Sequence, residues 1–302
     1  MHQVLGKRKL VALSLELSGA CNASCMFCTL GYKKDQAVTN VFTNEVIVRT
    51  EAKMSFDLID SILAKYEVPK IGCTGVNEPF LAPDRIRYLL NKSSEHKFDV
   101  GFYTNGNLVG KSIAEDVLRC SQVNQIHFSL NATTNEVRQL VMGIPLDVAE
   151  YNLMQFLRLR AEMNREDIKV QVVMMRTPKN LHQQEDFIRR WEKVRLGFAN
   201  VEPPGVFDPT NWCGDVYPYW MTKYKGKSGC KQWQCMAPLV RTDGQVYLCC
   251  YSSRWSFGHI LDDDTVDSFL NRRERFNITD DTDPDQYPEL CKECSHRFAL
   301  AW

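Results

Sequence analysis

The stretch that decides the fold is Val11–Cys28, VALSLELSGACNASCMFC. Val11–Leu17 reads as a strand, since apolar residues crowd a segment too short for a typical helix. The run that follows, CNASCMFC, sets Cys21, Cys25 and Cys28 in a CxxxCxxC spacing. Three thiolates so spaced can close on three irons of one 4Fe–4S cube and leave the fourth iron without a protein ligand. An electron-carrying ferredoxin gives its cluster four cysteines, so the open iron points to a bound cofactor or substrate. The competing arrangement is a zinc knuckle, which needs a tetrahedral set of four ligands, commonly as paired CxxC. No fourth cysteine lies near Cys28.

Outward from this motif, short β-type runs alternate with helical patterns six times, the signature of parallel βα units. The strands read are Val11–Leu17, Lys70–Val76, Val100–Asn105, Gln125–Asn131, Lys169–Met175 and Leu196–Glu202. Between them lie amphipathic helices over Phe56–Tyr66, Asp84–His96, Ile113–Arg119, Val148–Met163 and Gln184–Val194. The expected fold class is therefore α/β, a partial (β/α)6 barrel with a small C-terminal iron–sulfur domain. In βα barrels the active site lies at the C-terminal ends of the strands, which is where CNASCMFC falls. The interval Thr29–Lys53 is long and polar with no clear period, so it reads either as a lid over the mouth or as a solvated surface loop.

The cysteine motif, with Phe27 just before its third cysteine, resembles that of the radical S-adenosylmethionine (SAM) enzymes. The resemblance implies that Cys21, Cys25 and Cys28 hold a 4Fe–4S cluster whose open iron chelates the amino and carboxylate groups of SAM, consumed as a cosubstrate. CTGVNEPFL after the second strand resembles the glycine-rich segment that meets the methionine end of SAM. Gly75 would allow close backbone approach, and Glu78 would accept a hydrogen bond from the ammonium. Val76 and Asn77 stand where that family usually has paired glycines before the glutamate. Asn105 in YTNG and Ser129 in SLN resemble positions around the SAM ribose and carboxylate; Thr-Asn-Gly is also an ordinary turn sequence.

Past Glu202 the residues Pro203, Pro204 and Gly205 break the βα pattern, and a cysteine-rich remainder begins. The division expected is 1–204 for the barrel and 205–302 for an auxiliary cluster domain. That remainder orders CKQWQC, TDGQVYLCC and a terminal CKEC, with Asp243-Gly244 as a hairpin turn. It resembles the twitch or SPASM extension of the same family, which holds auxiliary 4Fe–4S clusters. One auxiliary cluster fits the cysteines present, with Cys235, one of the tandem pair Cys249/Cys250, Cys291 and Cys294 as ligands and Cys230 as an alternative. Neighbouring residues of a strand face opposite ways, so one of Cys249 and Cys250 points away from the cluster. It is either a buried apolar thiol or a hydrogen-atom donor. The tandem pair resembles the aminoglycoside-tailoring branch of the family, which implies a sugar epimerase with Cys249 as the donor and Cys250 turned to the auxiliary cluster. The G-x4-C register counted from Gly244 favours the reverse assignment.

Composition excludes some partners. Lys+Arg and Asp+Glu both total 37, so no overall basic field exists to bind nucleic acid or a membrane surface. No stretch approaches the ~20 apolar residues of a membrane span. The apolar run near the N-terminus is interrupted by Ser14 and Glu16, against a signal peptide, and 12 cysteines without an export signal point to metal ligation in a reducing cytoplasm. From Pro203 onward there are 14 acidic against 11 basic residues. Those in LDDDTVD and DDTDPD would attract a polycationic aminoglycoside or simply be solvated, while Glu202, Asp208 and Asp215 are expected nearer the mouth. The partners expected are an aminoglycoside substrate and an external electron donor of flavodoxin or ferredoxin type. Alternatives are a radical SAM dehydrogenase acting on an aminocyclitol alcohol and a non-enzymatic iron–sulfur or zinc module.

Overall fold

The structure is a computed structural model that describes residues 7–28, 37–40, 46–48, 53–75, 77–207, 224–227, 237–247, 255–277 and 298–300. Eleven of its strands form one sheet: β1 (Leu13–Leu15), β2 (Ala37–Asn40), β3 (Val46–Val48), β4 (Lys70–Cys73), β5 (Asp99–Thr104), β6 (Val123–Ser129), β7 (Lys169–Met175), β8 (Gly205–Phe207), β9 (Leu239–Val240), β10 (Gln245–Tyr247) and β11 (Trp255–His259). Their spatial order is β8-β7-β6-β5-β4-β1-β9-β10-β11-β2-β3. The first six in that order are all parallel, and they are the partial barrel.

Each barrel strand alternates. Phe102, Ile126, Phe128, Val170, Val172 and Met174 enter the core under the helices, while Gly101, Tyr103, Gln125, His127 and Gln171 take the other, inner face. The helices on the outside are α1 (Phe56–Lys65), α2 (Pro83–His96), α3 (Lys111–Arg119), α4 (Asn135–Met142), α5 (Leu146–Glu162) and α6 (Gln184–Arg195). The first shows why these segments are helical. Ser55 caps it by accepting from Leu58 N at 3.1 Å, Asp57 and Lys65 suit the two ends of its dipole, and Ile59, Ile62 and Leu63 fall on one buried face.

Three expectations need correction. The sixth strand is Gly205–Phe207, paired with Val173–Met175, whereas Leu196–Ala199 continues as turn after α6. Leu196 is 76 % exposed, so the apolar run there does not mark a buried strand. Glu202 consequently lies beside Val170 and Lys169, at the N-terminal end of β7 and away from the mouth. The second correction is α4, a short helix between β6 and α5 that the hydrophobic pattern left unread. The third is the interval 29–53, which contains the antiparallel pair β2 and β3 attached to β11.

The C-terminal strands join the barrel at its first strand. β9 runs parallel to β1, with Leu239 opposite Ser14 and Val240 opposite Leu15. β10 returns antiparallel through the turn at Asp243-Gly244, where Gly244 has φ +82°. Val240, Val246, Phe257, Ile260, Val266 and Phe269 share one core with the barrel. The acid-rich LDDDTVD opens helix α7 (Asp263–Leu270), and its charges are used locally: Asp263 pairs with Lys65 at 2.8 Å and Asp267 pairs with Arg8. Beside these, Tyr66 Oη donates to the Ile260 carbonyl at 2.8 Å in a buried bond. Tyr66→Phe should therefore lower the unfolding free energy of the apo-protein by ~1 kcal/mol, read as a shift of the denaturant midpoint with an unchanged slope.

Candidate active site

At the C-terminal ends of the barrel strands lies a cavity of about 230 Å³. Cys21, Cys25, Phe27, Cys28, Gly75, Glu78, Asn105 and Ser129 all line it, so the eight site residues expected of the barrel converge on one place. The sequence reading placed Tyr103 and Asn131 in these strand-end segments, took Asn77 only as a departure from paired glycines, and missed Met142 and Met175; all five line the cavity. The expected auxiliary ligands Cys235, Cys250, Cys291 and Cys294, the alternative Cys230, the donor candidate Cys249, and Asp208, Asp215 and DDTDPD lie outside the described residues.

Glu78 is the organiser. It is 1 % exposed, and its Oε1 accepts from Thr104 Oγ1 at 2.7 Å and from Phe80 N at 3.2 Å. Its Oε2 accepts from Asn105 N at 2.7 Å. Two oxygens offer about four acceptor positions, so this carboxylate has one direction left for an ammonium. Asn105 carries the arrangement onward: its Nδ2 donates to Asn22 Oδ1 at 2.7 Å and approaches Cys21 Sγ at 3.9 Å. The Thr-Asn-Gly segment is a turn, with Gly106 at φ +83°, and it is also a bridge from Glu78 to the cysteine loop.

The loop itself is held from behind by α4. Ser24 N and Met26 N donate to the Met142 and Val141 carbonyls at 2.8 and 2.9 Å, satisfying carbonyls that the end of a helix leaves unpaired. Thr134 caps the start of α4 by accepting from Val137 N, and Gly143 ends it at φ +70°. Thr134 and Gly143 were the available sequence signals for this helix. Asn131, itself at φ +63°, accepts from Met175 N at 2.6 Å and its carbonyl receives Asn180 Nδ2 at 2.7 Å, locking β6 to β7 at the rim.

The residues fit an iron–sulfur cluster with SAM. Burial pushes the Cys21 thiol up to about 12 and the Cys25 thiol well above its ordinary value, and in both cases neighbouring thiols add to the rise. Three such thiols within electrostatic reach of one another suit a cation that displaces their protons. Among the described residues no three His, Cys, Asp or Glu side chains gather closely enough for a single ion. Gly75 has φ +141°, and a Cβ there would lie 3.3 Å from Glu16 Cγ, so the chain passes the cavity without a side chain. The Asn77 side-chain amide is buried with neither atom hydrogen-bonded, leaving it available to a polar ligand.

Burial raises the Glu78 carboxyl to about 7, against the lowering by its three hydrogen-bond donors. The group is therefore ionised above that value and protonated below it. If it receives the SAM ammonium, SAM affinity should fall by up to ~tenfold per pH unit below 7 as the carboxylate is lost. Glu78→Gln should weaken SAM binding by ~1.5–3 kcal/mol and flatten that dependence. Equilibrium binding of SAM to anaerobically reconstituted protein between pH 5.5 and 8.5 measures both.

Residues 15–179 match the family model of the radical SAM superfamily, and residues 230–295 match that of SPASM, an iron–sulfur cluster-binding domain. No curated protein sequence matches the chain. Among solved structures, the Streptococcus suis protein SuiB bound to precursor peptide SuiA is similar, with 15 % identity, TM-score 0.57, and coverage of 95 % of this chain and 70 % of that one. Native anSMEcpe with bound AdoMet is similar too, with 14 % identity, TM-score 0.59, and coverage of 89 % and 84 %. At such identities the likeness is one of fold. No helix of the described residues is long and apolar enough to cross a membrane. The family match spans more than half of the chain, so the protein belongs to the radical SAM superfamily and carries a C-terminal SPASM domain, with a SAM-binding 4Fe–4S cluster, SAM and auxiliary iron–sulfur chemistry as its cofactors.

Proposed function

We propose that the protein is a radical SAM epimerase that inverts a sugar carbon of an aminoglycoside, C5‴ in the conversion of neomycin C to neomycin B. The observation that carries this reading is the tandem Cys249-Cys250 two residues past Tyr247. Tyr247 Oη donates to the buried Glu16 Oε2 at 3.1 Å, and its side chain packs with Leu239 and Cys28. Val240 and Val246, on the other face of the same hairpin, pack with the barrel core. Strand alternation counted by twos from Tyr247 would pair Cys249 with Tyr247 and set Cys250 on the other side; both cysteines lie outside the described residues. This count supports Cys249 as donor and Cys250 as auxiliary ligand, beside Cys235, Cys291 and Cys294, against the register counted from Gly244.

SAM held by the cluster of Cys21, Cys25 and Cys28 would supply the radical chemistry that removes hydrogen from the sugar carbon. The Cys249 S–H bond then breaks homolytically, and a C–H bond forms on the face opposite the abstraction. The thiyl left on Cys249 takes up one electron and one proton, the electron coming from an external donor of flavodoxin or ferredoxin type. The inner face of the barrel suits a hydrophilic ring. Gln125, His127 and Gln171 line it, and Tyr103 stacks on His127 with ring centroids 4.3 Å apart and planes 8° from parallel. In this reading residues 1–204 generate the radical and 205–302 hold the thiol and the auxiliary cluster, while the sheet runs through the division.

The similar folds favour a second reading, a peptide substrate, since SuiB was solved with a precursor peptide. Wild-type enzyme incubated in deuterium oxide with neomycin C should place one deuterium on the inverted carbon, because a thiol exchanges with solvent. Cys249→Ala should retain both clusters and still form 5′-deoxyadenosine but give no inverted product. Cys250→Ala should lose the auxiliary cluster. Loss of that cluster from Cys249→Ala, with epimerisation stopped in a cluster-replete Cys250→Ala, would exchange the two roles. A ketone product would mark the aminocyclitol dehydrogenase, and turnover of peptides but not aminoglycosides would mark the second reading.

A further inference from the structure

Arg138 lies on α4, the helix that docks the cysteine loop, and its side chain is 0 % exposed. A buried guanidinium normally spends its five donors on acceptors. Here Nη2 donates to the Asn105 carbonyl at 2.5 Å, while Nε and Nη1 are buried without any hydrogen-bond partner. Asn105 is the residue that reaches Cys21 and Asn22, so the Arg138 bond fixes the segment between Glu78 and the cysteines. On the same side of α4, Val137, Val141 and Met142 pack against Cys25, Met26 and Phe27. The Val141 carbonyl, three residues on from Arg138, accepts from Met26 N at 2.9 Å, so α4 holds the Cys25 segment by its backbone as well as by packing. A buried guanidinium with two idle nitrogens and no carboxylate hydrogen-bonded to it among the described residues is costly unless something anionic completes the site.

We propose that Arg138 is a positioning residue for the SAM-binding cluster: its two idle nitrogens and its charge answer the thiolate of Cys25 and the cluster behind it, and they hold the cluster's reduction potential up. The physical basis is charge. A 4Fe–4S centre gains one negative charge on reduction, and the potential follows net charge, hydrogen bonds to sulfur and burial. A cation sealed in a medium of low dielectric stabilises the reduced state, which makes the electron from the external donor easier to accept. The proposal rests on the family's cluster and on Cys21, Cys25 and Cys28 as its ligands, and it is independent of the substrate.

The test compares wild type, Arg138→Lys and Arg138→Gln as reconstituted holoenzyme in a redox titration followed by electron paramagnetic resonance. The signal read is the one that changes on adding SAM, and iron is counted in each sample. Full iron and a SAM-responsive signal in wild type, both lost in the Cys21, Cys25 and Cys28 triple alanine variant, check the ligand reading separately. Arg138→Gln should keep its iron while the reduced-to-oxidised ratio at a fixed potential falls tenfold or more, equivalent to ~59 mV for one electron. Arg138→Lys, which retains the charge, should recover most of that ratio. An unchanged ratio in a fully loaded Arg138→Gln would overturn the proposal. Should Arg138→Gln fail to hold iron, Arg138→Lys decides: a ratio within threefold of wild type upholds the role of charge, and a tenfold fall or loss of the cluster overturns it.

Discussion

One buried carboxylate holds the mouth of the barrel together. Glu78 leaves the second barrel strand and binds the end of the third through Thr104 Oγ1 and Asn105 N, and Asn105 then reaches the cysteine loop that follows the first. Three consecutive strand ends are fixed relative to one another by three hydrogen bonds of 2.7 Å and an approach to Cys21 Sγ at 3.9 Å. Burial raises the carboxyl to about 7, so the arrangement is held under electrostatic cost, and a cationic ligand on the remaining acceptor direction would relieve it. That is an economical way to join fold and chemistry, because the group that shapes the cavity is the same one that a bound ammonium would satisfy.

Much of this was legible in the sequence for a definite reason. Strands buried on one face, such as Lys169–Met175, announce themselves by β-branched and apolar runs, and the structure returns that strand with the same bounds. The cysteine spacing and the strand-end polar residues Gly75, Glu78, Asn105 and Ser129 were readable because a barrel puts all strand ends at one edge. What failed was local apolarity without burial. Leu196 belongs to an exposed turn, and the strand that completes the barrel, Gly205–Phe207, begins right after two prolines and carries only three residues. Helix α4 escaped because eight residues make too short a window for periodicity.

Glu16 shows a different kind of illegibility. In the sequence it interrupts an apolar strand and argues only against a signal peptide. In the fold it is fully buried, beside Gly75 and under Tyr247, a partner 231 positions away. No pattern within a window of the chain can connect such residues, since the contact exists only because the C-terminal hairpin adds to the first barrel strand. The same addition places the turn at Gly244 and the strand leading to the tandem cysteines alongside the strand that leads to the first three.

This edge addition also joins the C-terminal strands to the barrel without a docked interface. A separate domain tethered by a linker would have to dock, and docked interfaces are mobile by default. Extending the barrel sheet by β9, β10 and β11 replaces docking with backbone hydrogen bonds and one continuous core from Leu13 to Phe269. The register of β9 on β1 then fixes which residue of β10 lies over Glu16, because a slip of one residue would turn Tyr247 to the helix side and Val246 to the inner face. That penalty, a buried carboxylate deprived of its phenol and a valine taken out of the core, is what specifies the register.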